Sequence, residues 1–395
     1  MLAKKYFQGL SRNTFLLAFA SLFADISTEM LYPVLPIFLT QNLKVGGSIV
    51  GIVEGVAEAT QNIIQGASGY LSDKIQKRKP IALFGYILAA ISKPLIGLST
   101  IWQAVLAVRS IDRIGTGTRS APRDALIAAS ADERSRGKAF GLEGIGDNLG
   151  AFLGPLIAVV ILFSFHVDIR HIFFLAIIPG LLAVLMILFV KERKVEVKSK
   201  AKLDVNFRQF PKDYWKYLSA VMLFGIGNSS NAFLILQTKS LGVSLEATIL
   251  IYAVYNLIAA LISYPSGFLS DKFGRKNILL AAFLIFFTTY VGFAITKSIL
   301  IVAVLFALYG LYQGTFRSVG KAFATDFVPQ ALRASGVGWY NTTVGLTGLI
   351  ASIVAGQLWD KVGHGAVFVY GAVFAGIGSV ALLILTKRHS LTLTS

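Results

Sequence analysis

Gly267-Phe268-Leu269-Ser270-Asp271-Lys272-Phe273-Gly274-Arg275-Lys276 ends one long apolar run and opens the next. A sister stretch lies 198 residues earlier: Gly69-Tyr70-Leu71-Ser72-Asp73-Lys74, followed by Lys77-Arg78-Lys79. Both sit where apolar sequence gives way to a basic loop, so the chain reads as one plan written twice. Gly117-Thr118-Arg119-Ser120 with Arg123 extends the repeat, matching Gly314-Thr315, Arg317-Ser318 and Lys321 at nearly the same offset.

The composition fits only one solvent. The chain has 395 residues, 55% of them hydrophobic and 14% charged, far from the average of a soluble domain. Apolar runs of about 20 residues, each about enough to cross a ~30 Å hydrocarbon layer, recur throughout. Twelve spans are predicted, at roughly 13–39, 48–70, 80–98, 101–121, 138–163, 170–190, 215–237, 247–269, 277–296, 299–319, 333–358 and 364–386. The first is expected to be a retained helix, because no small-residue cleavage site follows it.

The net charge of +17 raises nucleic acid as a partner, but its distribution argues otherwise. Alternate connections with their flanking residues hold 27 Lys and Arg, and the opposite set holds 5: Lys44, Arg170, Lys239, Lys297 and Lys361. Cytoplasmic loops accumulate such bases, which predicts both termini in the cytoplasm. No nucleic-acid partner is expected. The polar stretch 191–213, rich in Lys, Glu and Ser, reads as a cytoplasmic linker between six-helix bundles at 1–190 and 214–395. The chain has no cysteine and hence no disulfide frame.

The paired motif resembles the loop signature between helices two and three, and eight and nine, of major facilitator superfamily (MFS) transporters. The second copy matches almost throughout; the first has Gln76 where the family has Gly. The resemblance implies the MFS fold: an all-α membrane protein of twelve transmembrane helices in two six-helix repeats. It also implies gating by Gly69, Asp73, Lys74, Gly267, Asp271 and Arg275, with each aspartate contacting a neighbouring helix N-terminus and the motif's bases. Gly141-x8-Gly150-x3-Gly154-Pro155 is similar to the antiporter motif of the family's exporters, with Ala158-Val159 replacing its closing Gly-Gly. Physically, such glycines admit a second helix closely, and Pro155 bends its own. Pro33-Val34-Leu35-Pro36 is similar to an element of twelve-helix drug:proton antiporters.

Charges inside spans are costly and usually face a partner or a cavity. The first half concentrates them. Asp25 and Glu29 lie on span one; Glu54, Glu58, Gln61 and Gln65 form one stripe on span two. Arg109, Asp112, Thr116, Arg119 and Arg123 form another on span four, beside Arg113; Lys93 lies on span three, and Glu143 and Asp147 on span five. Asp25, Glu58, Asp112 and Asp147 are each expected about 15–18 Å deep. Set against Lys93, Arg109 and Arg113 alone, acids are in surplus, so some carboxyls are expected to carry protons. The expected proton-coupling set is Asp25, Glu29, Glu54, Glu58, Arg109, Asp112, Arg113 and Asp147. Static ion pairing that only joins helices is the competing reading for each.

The second half carries amides, hydroxyls and aromatics instead. Asn228, Asn231 and Gln237 lie on span seven, Tyr252, Tyr255 and Asn256 on span eight, and Trp339, Tyr340 and Asn341 on span eleven. These residues are the expected substrate wall, with interhelical hydrogen bonding as the alternative.

The sequence has no P-loop, no HExxH and no close histidine pair, so no enzyme, metal site or cofactor is expected. The leading expectation is a monomeric, proton-coupled secondary exporter (antiporter) of a small amphipathic or cationic molecule. It would sit in a prokaryotic cytoplasmic (inner) membrane, with the lipid bilayer, protons and substrate as partners and the proton gradient as energy source. Transport of a metal ion, metal chelate or metabolite is the alternative, ahead of a membrane sensor or lipid translocase.

Overall fold

The computed structural model describes residues 10–75, 77–131, 135–192, 209–329 and 332–386. The side chains of Asp73 and Lys74 and most of the expected linker, 193–208, lie outside the described part. Among the described residues every regular element is helical, and helices occupy all twelve expected ranges. We number them α1 (Arg12–Glu29), α2 (Gly47–Ile75), α3 (Arg78–Leu98), α4 (Trp102–Ala129), α5 (Arg136–Phe165) and α6 (Arg170–Phe189). The second half holds α7 in two pieces (Lys212–Gly225 and Ala232–Ser240), α8 (Leu245–Phe273), α9 (Arg275–Ile295), α10 (Ile299–Asp326), α11 (Arg333–Lys361) and α12 (His364–Leu385).

Two expected continuous spans are broken over several residues, and α6 is interrupted at Ala176 alone. After Glu29 the chain turns, makes a short helix at Leu35–Ile37 and continues as a π-helical stretch, Phe38–Asn42. Pro33 and Pro36 each remove a backbone donor there, and the two losses fall within one turn of each other. α7 stops at Gly225 and resumes at Ala232. Asn228 thus lies in a turn, its amide bonded to the Gly225 carbonyl at 3.0 Å, and not on a helix face.

Among the described residues eight helices (α3, α5, α6 and α8–α12) are long and apolar enough to cross a membrane on their own. Of the other four, α1, α2 and α4 carry charged residues and α7 is broken, although α3 and α5 also carry charges, Lys93 and Glu143 with Asp147. Large apolar side chains point outward along the bundle: Phe163, Leu261, Leu300 and Ile384 are 66–76% exposed. In water such a surface would aggregate; facing lipid, it is the expected exterior.

Contacts divide the chain into two compact units. One joins Met1–Phe38 to Thr60–Lys202; the other joins Leu39–Ala59 to Leu203–Ser395. α2 is a single helix whose first half belongs to one unit and whose second half belongs to the other.

Inside the first unit, α5 packs on α1 through glycines one turn apart. A Cβ at Gly146, Gly150 or Gly154 would sit 2.5, 2.6 or 2.8 Å from the carbonyl oxygens of Ala18, Leu22 and Ile26. Gly150 and Gly154 of the exporter-like motif therefore do hold a helix close. Gly141 meets nothing within 4 Å, and Gly146 takes the place expected for it.

The repeat is visible in contacts as well as letters. Gly117 on α4 abuts the Gln61 carbonyl, and Gly314 on α10 abuts that of Ala259. Arg78 donates to Ala125 O and Arg275 to Ala322 O; Lys79 donates to Leu188 O and Lys276 to Leu383 O. The two loops differ in length: four residues lie between Asp73 and Arg78, and three between Asp271 and Arg275. In the shorter loop Gly274 alone joins α8 to α9, at φ +89°, a conformation side chains resist.

Gly150→Leu is expected to cost about 1–3 kcal/mol by overpacking the α1–α5 contact. Gly141→Leu is expected to be neutral. Thermal unfolding of both variants in detergent checks the contrast.

Candidate functional site

α4 organises the first unit's interior. Its charged residues recur every three or four positions, so they share a face, and that face is sealed: Arg109 and Asp112 are 0% exposed. Buried charges survive only when paired, and partners come from α1, α2, α3 and α5.

They form two groups. In the first, Asp112 gathers three cations: Arg109 Nη1 at 3.0 Å, Lys93 Nζ at 3.3 Å and Arg113 Nε at 3.8 Å. Lys93 also donates to the Ala89 carbonyl and Arg113 to Gln61 Oε1, at 2.9 and 2.8 Å. Three positive groups thus offset the charge of one buried carboxylate.

The second group is built on Arg123. Its guanidinium reaches Glu143 at 2.8 Å, Asp124 at 3.0 Å and Asp147 at 3.5 Å, and donates to Ser21 Oγ at 2.9 Å. Ser21 in turn donates to Glu143 Oε1. Arg119 lies over the Tyr86 ring, 4.7 Å from its centroid, and meets Asp25 at only 3.5 Å. Three acids of α1 and α5 (Asp25, Glu143, Asp147) are thus held by two arginines of α4. Glu29 packs its Cβ where a side chain at Gly154 would go.

The expected middle layer of acids is therefore divided. Asp25 and Asp147 belong to the Arg119–Arg123 group and Asp112 to the Lys93–Arg109–Arg113 group. Glu54, 2% exposed, and Glu58 lie on the half of α2 that groups with the second unit. There Glu58 Oε2 is 3.7 Å from the place a Cβ at Gly348 would occupy. Arg119 and Arg123 stand on the same α4 stripe that the spacing reveals. Weighing the acids against three bases leaves them out, and with them much of the surplus disappears. Ser21 and Tyr86 carry no sequence signal of their own.

In the second unit Asn231 is the polar centre. Its amide nitrogen donates to the Tyr255 hydroxyl at 3.0 Å, and its oxygen accepts from Tyr309 at 2.7 Å. Tyr252 packs 5.3 Å from Tyr255, and Tyr290 and Tyr312 flank Tyr309 at 6.2 and 5.3 Å. Sequence reasoning missed Tyr290, Tyr309 and Tyr312; their spacing on α9 and α10 looks like ordinary core. Tyr340 is buried, parallel to Tyr217 and against Gly320, and Trp339 packs on Trp215. Asn341 is buried nearby in sequence, Asn256 is half-buried beside Tyr255, and Gln237 accepts from the Ser240 hydroxyl at 3.4 Å. Arg275, one of the expected gating residues, joins Asp271 (3.4 Å) to Asp326 (2.5 Å). Among the described residues no group of three or more His, Asp or Glu side chains is arranged to hold a metal.

The profile of the Major Facilitator Superfamily matches residues 17–236 and 217–394. The chain belongs to that superfamily. It is therefore a multi-pass membrane transporter of a small molecule and not an enzyme. It is similar to an uncharacterized MFS-type transporter, MJ1317, of Methanocaldococcus jannaschii: 35% identical over 383 residues, 95% of each chain. It is 24% identical to the quinolone resistance protein NorA of Staphylococcus aureus, over 96% of this chain and 98% of that one. Among solved structures it resembles the nucleoside transporter NupG, with a TM-score of 0.77 at 17% identity, covering 95% of this chain and 98% of that one. A bacterial homolog of the human lysosomal transporter Spinster, inward-facing and unoccupied, gives 0.75 at 16%, covering 96% and 98%. At such identities these likenesses speak for the fold alone.

Removing Arg123 leaves Glu143 buried without its cation. Breaking such a pair costs about 3–5 kcal/mol in a sealed site and less in proportion to water access. Arg123→Gln is expected to lower the unfolding temperature more than Arg123→Lys, and adding Glu143→Gln to recover part of the loss. Thermal unfolding of the three variants decides.

Proposed function

We propose that the protein is a proton-coupled secondary transporter that exports a small amphipathic or cationic molecule by alternating access. The observation that carries the reading is the Asp25–Arg119 contact beside Arg123, Glu143 and Asp147. The Arg119–Asp25 ion pair spans 3.5 Å, as Arg123–Asp147 does and against 2.8 Å for Arg123–Glu143; unlike Asp147, Asp25 does not share its arginine with two other carboxylates, and its side chain is 26% exposed. Protonating Asp25 removes the charge that ties α1 to α4. A cationic substrate drawn to the same carboxylate competes with the proton, which is the exchange an antiporter needs.

Export is supported by the α1–α5 glycine contact and by the motif that contains it. Asn231, with its two tyrosines, supplies hydrogen-bonding and aromatic surface for the non-polar part of a substrate. The 27-to-5 bias of basic residues supports cytoplasmic termini. The remaining proposals are a prokaryotic inner-membrane location, action as a monomer, and rocking between bundles at 1–190 and 214–395. Lys93, Arg109 and Arg113 around Asp112 favour a second reading, an anionic metabolite as substrate.

The test is proton movement in liposomes holding the pure protein and a pH dye, challenged with lipophilic cations, small carboxylates and divalent metals. Cations are expected to trigger a proton signal that Asp25→Asn reduces at least tenfold. A signal from carboxylates alone selects the second reading; a signal from cations that survives Asp25→Asn removes the assigned coupling role. Separately, Asn231→Ala frees two tyrosine hydroxyls and is expected to weaken substrate binding about tenfold, since a hydrogen bond is worth about 0.5–1.5 kcal/mol. Equilibrium binding at fixed pH measures it.

A further inference from the structure

Helices need their first backbone N–H groups satisfied, usually by a Ser, Thr, Asp or Asn just before them. The two repeats treat this differently. α8 caps itself: Ser244 Oγ accepts from Ala247 N at 3.1 Å. The matching position before α2, 198 residues earlier, is Gly46, which has no side chain to offer.

The cap arrives from α11 instead. Asp360 Oδ1 accepts from Gly47 N at 2.7 Å and Oδ2 accepts from Ser48 N at 2.9 Å. Ser48 Oγ also donates to the Gly356 carbonyl at 3.2 Å. The contact continues down one face of each helix: a Cβ at Gly51 would strike the Ser352 carbonyl, and one at Gly55 would lie 3.2 Å from Leu349. Trp359 covers Gly47 and stacks on His364 at 3.8 Å. A carboxylate on a helix N-terminus is favoured by charge as well as by hydrogen bonds.

We propose that Asp360 is a positioning residue of the transport cycle: it latches the N-terminal half of α2 onto α11, closing the external end, and must let go when that end opens. The inference rests on the alternating-access reading above. Its physical basis is that α2 spans two compact units, so its first half is held to the second unit by contacts like these. A cap taken from another helix can be withdrawn by helix separation, whereas a helix's own cap cannot. Gly46 in place of a serine leaves α2 dependent on the distant carboxylate.

The chain's lack of cysteine makes the test clean. Leu349→Cys is placed under α2, and its labelling by a membrane-impermeant thiol reagent is timed in intact proteoliposomes. In the Asp360→Asn background labelling is expected to rise at least threefold, with Asp360→Glu close to the parent. Labelling unchanged in Asp360→Asn overturns the latch. As a second measurement, Gly46→Cys with Asp360→Cys is oxidised to a disulfide, which is expected to stop transport until it is reduced. Transport at the unlinked rate through an intact disulfide would show that this contact never opens and also overturns the proposal. Labelling requires no proton flux, so failure of the Asp25 coupling role leaves this result readable on its own.

Discussion

A charged helix face cannot be left unpaired inside a bundle that sits in hydrocarbon. α4 carries such a face, and the first unit is arranged to meet it: Lys93 from α3, Gln61 from α2, Asp25 and Ser21 from α1, and Glu143 and Asp147 from α5. Each partner can reach α4 only if the intervening backbones come close. The glycine pairs Gly85–Gly115, Gly117–Gln61 and Gly150–Leu22 provide those approaches, each with less than 3 Å to a would-be Cβ. Charge pairing and small-residue packing are thus two halves of one constraint.

The two acid groups differ in what a proton could do. Asp112 is surrounded by three cations and fully buried, which suits a fixed structural or anion-facing element. Asp25 meets Arg119 at 3.5 Å and is partly accessible, which suits exchange. The second unit has few buried charges of its own besides Glu54 and is built on aromatic stacking around Asn231. The contrast supports a division of labour, coupling in one unit and substrate contact in the other.

Much of the architecture was legible in the sequence because membrane spans announce themselves by length and apolar content. The loop motif gave the repeat, and the stripe on α4 gave its buried face. What could not be read depended on details hydropathy ignores. Pro33 and Pro36 break the first span, and the turn at 226–231 breaks the seventh, although both are apolar overall. Arg119 and Arg123 sit near a span end by counting, yet α4 continues to Ala129 and keeps them inside. Gly141 fits a motif but touches nothing, while Gly146 fits none and touches α1. Asp360 falls just past the eleventh predicted span, 333–358, and only three dimensions show it capping a helix more than 300 residues away.

Proton coupling as proposed turns on Asp25 and not on Asp112. Infrared difference spectra of the protein in lipid, recorded between acidic and alkaline pH, report a protonated carboxyl directly. A carboxylic-acid carbonyl band is expected at the acidic end that disappears in Asp25→Asn and persists in Asp112→Asn. A band lost in Asp112→Asn and kept in Asp25→Asn would contradict it.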